Sequence, residues 1–234
     1  MSHHSPPLAP SMQLTLRALA HLLRYPDAAL RAHLPELRAA LQQEAALAAP
    51  RLAELEQLLQ RLQHSSGLTV EAEYVELFDR GRGTALHLFE HVHGDSRDRG
   101  PAMIDLLQTY EQAGLYLDAD DLPDYLPVLL EFASTQPAEQ ARAFLHETAH
   151  IVRAIFSALL KRQSPYACVL AAVLELAGEA AEPVPVAADP DLDQAWAEPA
   201  AFDGCASSGQ TRPDQPQPIR FVKPSKPSHQ GAQT

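Results

Sequence analysis

Leucine and alanine recur at the spacing of a helical face along most of this chain, and proline or glycine interrupts the pattern at short intervals. Leu16, Leu19, Leu22 and Leu23 form one such stripe, and Pro26 ends it, because proline has no amide to donate and its ring clashes with the preceding turn. Aromatic residues make up only 6% of the chain, and the β-branched residues that favour strands are sparse beside Ala and Leu. With 46% hydrophobic residues to fill a core, the expectation is an all-α fold, a single compact helical domain of about eight or nine helices.

Punctuation divides the chain further. Ser11 is placed to cap the first helix, and Pro35 and Pro50 suit first helical positions in stretches over 27–48 and 50–64. Helices are then predicted over 69–79, 84–94, 98–113, 122–134, 137–162 and 164–181, the last with Ser164 as cap and Pro165 behind it. No convincing strand appears. From Glu182 the periodicity stops and nine of the 20 prolines follow, so 182–234 reads as a mostly disordered tail, with 1–10 a flexible amino terminus. Trp196 and Phe202 in the segment 191–203 are expected to dock back on the domain that spans 11–181.

The charge of −12 argues against nucleic acid, which is held through clustered Lys and Arg. Nothing resembles a secretory leader or a run of about 18 apolar residues, so a soluble, cytoplasmic protein without stable membrane association is expected. Cys168 and Cys205 offer neither a disulfide framework nor metal-ligand spacing. Between Arg99 and Arg142 there is no Lys or Arg, while eight Asp and Glu side chains fall there, a field that draws in a basic partner.

The densest polar stretch is "HLFEHVHGDSRDRG" at 87–100. His87, Glu90 and His91 spell H-x-x-E-H, in which two imidazoles one helical turn apart hold zinc beside a glutamate base. A zinc-dependent hydrolase is therefore one alternative, and a helical scaffold subunit retained in a complex is another. The plainer reading is a corner: Gly94 takes positive φ, Asp95 or Ser96 caps the next helix, and Arg97 and Arg99 fork onto carboxylates or free carbonyls. His93 joins this polar corner without sharing a helical face with Asp95.

"YVELFDRGRGTALHLFEHVHGDSRDRGPAMIDLLQTYEQAGL" at 74–115 closely resembles the signature of the nitrate reductase molybdenum cofactor assembly chaperones, the NarJ family or delta subunit. "LLRYPD" at 22–27, "LPDYLPVLLEF" at 122–132, "SPYACVLAAVLEL" at 164–176 and the Trp196 segment agree with it, whereas the glycines of "RGRG" at 80–83 depart from it. The resemblance implies an all-helical cytoplasmic chaperone, not an enzyme and with no cofactor or metal of its own. It implies binding to the apo catalytic (alpha) subunit of respiratory nitrate reductase, partly through that subunit's N-terminal segment, until the molybdenum cofactor is inserted. The residues expected to form the client groove or its margin are Tyr74, His87, His91, His93, Asp95, Arg97, Arg99, Asp121, Asp124, Tyr125, Leu126, Leu129 and Glu131. Among them Asp121, Asp124 and Glu131 are assigned to an acidic rim and Leu126 and Leu129 to an apolar floor.

Overall fold

A computed structural model describes residues 11–92, 98–118 and 121–185. Among these residues the chain is helical and contains no strand. Ten α-helices run in order: α1 (Gln13–Leu22), α2 (Ala28–Ala32), α3 (Leu34–Glu44), α4 (Ala49–His64), α5 (Gly67–Tyr74), α6 (Leu88–Val92), α7 (Arg99–Gln112), α8 (Leu126–Thr135), α9 (Ala138–Lys161) and α10 (Ala167–Leu176). A π-turn over Val75–Asp79 continues α5, and a 3₁₀ turn over Arg82–Thr84 follows it. The tail beyond 185, with Trp196, lies outside the described residues, as do Gly94, His93, Asp95 and Arg97.

The centre is α10, which buries every residue but Glu175. Around it, α9 contributes Leu145, Val152, Ile155 and Leu159, all fully buried at helical spacing. Leu16, Leu19, Leu22 and Leu23 of the first stripe are at most 1% exposed, and α1 packs chiefly on α8. Each such leucine contributes roughly 1.5–3 kcal/mol through burial, and that sum holds the bundle together.

Several boundaries differ from expectation for identifiable reasons. Ser11 does not cap α1; Glu44, the last residue of α3, does so from across the fold. Its carboxylate accepts from the Thr15 amide at 2.7 Å, the Leu14 amide at 3.3 Å and the Ser11 hydroxyl at 2.7 Å. The stretch 27–48 is two helices. Asp27 caps α2 by accepting from the Leu30 amide at 2.7 Å, and the chain leaves helical geometry at His33, with Pro35 in the first turn of α3.

The predicted helix over 84–94 starts only at Leu88, because the residues before it are used in extended form. Leu88 donates its amide to the Asp124 carbonyl at 3.0 Å, and Leu126 donates to the Leu86 carbonyl at 2.9 Å, making a one-rung antiparallel bridge between His87 and Tyr125. That bridge also delays α8 to Leu126. The "RGRG" corner is close-packed: a Cβ at Gly81 would collide with the Thr84 hydroxyl and the Leu77 carbonyl, which are hydrogen-bonded to each other. Glycine is required there by close approach.

Candidate functional site

The polar corner is organised by Asp124, which is fully buried. One carboxylate oxygen accepts from the Phe89 amide at 3.1 Å, and the other faces Nδ1 of His87 at 3.4 Å. Arg99 Nη2 approaches at 3.7 Å and also meets Glu90 at 3.6 Å. A buried carboxylate needs such donors, since leaving one unpaired costs several kcal/mol. Asp124 is therefore an internal tie between the start of α6 and the start of α7. It is not the rim charge expected from the sequence; the donors converge on it from segments far away in the chain.

The two histidines of H-x-x-E-H have separate partners. His87 stacks on Tyr125 with ring centres 5.1 Å apart, and the Ala85 carbonyl accepts from His91 Nε2 at 2.9 Å. Among the described residues no group of three or more His, Cys, Asp or Glu is arranged to hold a metal ion.

Leu126 and Leu129 also differ from expectation. They are 0% and 1% exposed and belong to the main core, so they cannot floor an open groove. Glu131 stays half-exposed but is neutralised by Arg24, with Nη2 at 3.1 Å. Asp121 remains near the surface.

The open concave surface lies elsewhere, around the turn after α1. A hollow of about 760 Å³ is lined by His21, Arg24, Asp27, Leu30, His33 and Leu37, with Tyr25 and Tyr125 as aromatic walls. A second, of about 230 Å³, lies between Tyr25, Tyr74, Phe78, Leu86, His87 and Tyr125. A third, of about 360 Å³, runs along α5 past Leu68, Glu71, Ala72, Val75 and Arg80. Tyr25 borders all three and Tyr125 borders the first two, so the three hollows adjoin around one ring as a segmented trough. Its tyrosines are held from below: the Leu23 carbonyl accepts from the Tyr74 hydroxyl at 2.7 Å, and the Tyr74 and Tyr125 hydroxyls are 3.3 Å apart. Burial, with the neighbouring Tyr125, pushes the Tyr74 hydroxyl pKa far up, so it stays protonated and donating.

Apolar walls dominate this trough, but its rim is acidic. Asp27, Glu36, Glu71, Glu76 and Asp79 line it against two cations, Arg24 and Arg80. Both arginines are already paired, Arg24 with Glu131 and Arg80 with Glu76 at 3.1 Å. Burial chiefly lowers the His21 pKa, opposed by Glu131 and aided by the nearby arginines, which disfavours its charged form. Tyr25 is 44% exposed and Leu68 80%, so both offer apolar surface to solvent at this place.

Sequence reasoning placed Tyr74, His87 and Tyr125 in the site, and all three line the second hollow. It assigned no role to His21, Arg24, Tyr25 or Leu68. The available signal was "LLRYPD", an arginine and a tyrosine left at a proline-forced helix end, where side chains point out of the bundle.

Comparison with known proteins agrees with this architecture. The sequence model described as "Nitrate reductase delta subunit" matches residues 23–172. The chain is 43% identical over 167 residues to the nitrate reductase molybdenum cofactor assembly chaperone NarJ of Escherichia coli K12, covering 71% of each chain. It is 40% identical to the probable nitrate reductase molybdenum cofactor assembly chaperone NarW of the same strain, covering 70% of this chain and 68% of the other. It is 37% identical to the probable chaperone NarJ of Bacillus subtilis 168, covering 69% and 87%. In fold it resembles the crystal structure of a putative redox enzyme maturation protein from Archaeoglobus fulgidus, with TM-score 0.52 and 20% identity over 76% of this chain and all of that one. The chain belongs to the nitrate reductase delta subunit family.

Proposed function

We propose that this chain is an assembly chaperone for the nitrate reductase molybdenum cofactor, and that its trough holds the N-terminal segment of the apo catalytic subunit. The names of its relatives support the first statement. The second rests on one observation: three adjoining hollows that share Tyr25, with five carboxylates among their lining residues and both lining arginines already paired. A short segment that is apolar along one face and basic on the other fits such a surface in the helix-in-groove mode. Tyr25 and Tyr125 supply rigid aromatic contact at small entropy cost, with Tyr74 buried behind them as their support, while Glu71, Glu76 and Asp79 raise the encounter rate with a basic segment. No catalytic step is assigned to the chain; holding the client open requires only reversible binding.

The test is titration of a synthetic peptide carrying the N-terminal segment of the catalytic subunit, at low and high salt. Tyr25→Ala should weaken binding about tenfold, a loss of about 1.4 kcal/mol, beyond any small drop in melting from losing its edge-on contact with Tyr74, which a melting curve measures alongside. Glu71→Gln with Glu76→Gln should flatten the salt dependence. Wild-type affinity in both variants would overturn the placement of the segment in this trough.

A further inference from the structure

We propose that α7 is a flap: it closes over a separate apolar patch, is latched to the Pro123–Asp124 pair at both of its ends, and opens while the rest of the bundle stays folded. The first observation is how little of α7 is buried. Of its 14 residues only Tyr110 is buried, whereas α10 buries all but one of its 10. Ile104 is 57% exposed. A helix of this length gains most of its stability from packing an apolar face, and α7 has one full anchor where α10 has nine.

The second observation is where the anchors land. At the amino end, Arg99 reaches Asp124 at 3.7 Å. Near the carboxyl end, the Pro123 carbonyl accepts from the Tyr110 hydroxyl at 2.8 Å. The Leu115 amide donates to the Tyr110 carbonyl at 2.9 Å, so the turn through Gly114 is tied to α7 and moves with it. Two adjacent residues thus hold both ends of one helix.

The third observation is what α7 covers. Tyr110 packs on Phe132, ring centres 4.6 Å apart, in a small cluster with Val128 that is distinct from the main core. Leu106 closes it from α7, and Phe144 of α9 borders it. Releasing α7 with the turn that follows it removes Tyr110, Leu106 and Leu115 from this cluster and uncovers the sides of Val128 and Phe132 that face them, with Phe144 and Tyr125 still packed behind, while the leucines that hold α8 to α1 keep their partners in the main core. The closed chain therefore conceals an apolar surface that it can present without global unfolding.

Hydrogen exchange of the full chain tests this directly. The amides of α7 should exchange as a group at least tenfold faster than those of α8 and α10. Tyr110→Phe removes only the latch hydroxyl and should speed α7 a further roughly tenfold with α10 unchanged. In a second measurement, Val128→Cys should be labelled by a thiol reagent faster when combined with Tyr110→Phe or Arg99→Gln, while Cys168 in the main core is not. Equal exchange in α7 and α10, or acceleration of every helix together, would overturn the flap, as would labelling of the introduced cysteine only in step with Cys168.

Discussion

Replacing Asp124 by Asn tests the reading of the polar corner most sharply. The amide keeps the size of the carboxylate, so any loss reflects charge and donor geometry and not a cavity. In the native site one oxygen accepts from the Phe89 amide at 3.1 Å, while the other faces His87 Nδ1 at 3.4 Å, with Arg99 at 3.7 Å from the carboxylate. Asn supplies one acceptor and one NH₂ group. With its oxygen kept on the Phe89 amide and Arg99, its NH₂ group faces His87 Nδ1, which accepts only as the other neutral tautomer, and the negative charge at a fully buried position is gone. A hydrogen bond to a charged group is worth about 1.5–3 kcal/mol. The distances to His87 and Arg99 are long, and the Arg99 side chain is 27% exposed, so water can rehydrate it and the penalty falls short of that for an isolated buried charge. The expected destabilisation is about 2 kcal/mol, or about 4–8 °C in Tm for a domain of this size. Calorimetry of wild type, Asp124→Asn, Arg99→Gln and the double variant measures it, with the two substitutions less than additive because they share one bond network. A single-variant Tm within about 1 °C of wild type would refute Asp124 as an internal tie.

The remaining predictions concern the core and its edges. Leu129→Ala should cost about 2–5 kcal/mol in urea melting, because Leu129 is 1% exposed and its loss leaves a void; a change confined to client dissociation would return it to the groove. Burial raises the Glu44 pKa, but bonds from Ser11, Thr15 and Leu14 outweigh it and leave the carboxyl depressed. Its contribution is therefore complete above about pH 4.3 and is lost as pH falls through the lower, folded pKa, so Glu44→Ala should cost about 1 kcal/mol at neutral pH and flatten the acid limb of stability. Cys168 is buried and its thiol pKa is pushed up to about 12, chiefly by desolvation, so peptide mapping after mild alkylation should find it unlabelled until the chain is denatured.

The strongly periodic helices were legible in the sequence because a single stripe decides them: α1, α4 and α9 lie within a few residues of expectation. The miscast segments are those whose partners are remote. Thr84 stands at the start of the predicted 84–94 helix, yet its hydroxyl is spent on the Leu77 carbonyl, and the chain reaches Leu88 before turning helical because the 124–126 segment pairs with 86–88. Glu44 shows the same effect at α1, since a cap supplied from 30 residues away leaves no local signature. Asp124 was hidden by its neighbours in sequence: one aspartate in an acidic run carries no mark that donors await it. Leu126 and Leu129 sit where a groove floor or a core is equally consistent with period alone, and the packing of α8 on α1 chose the core. The trough needed the turn after α1, α5 and the 125 corner to meet, a three-way proximity that no local pattern encodes.

The acidic surplus of this chain consequently divides into two populations with different physics. Asp124 and Glu44 are acceptors for backbone amides, buried or partly so, and their fields end within the bonds they make. Glu71, Glu76 and Asp79 stand at the trough margin, where among the described lining residues the one arginine beside them, Arg80, is already paired with Glu76. Salt distinguishes the two, because mobile ions screen exposed charges beyond about 8 Å at physiological ionic strength but penetrate little to a group without solvent contact. Raising salt should then slow association of a basic segment while leaving the melting of the Asp124 corner nearly constant. The same formal charge thus serves folding where amides surround it and, in the proposed function, capture of a client where water does.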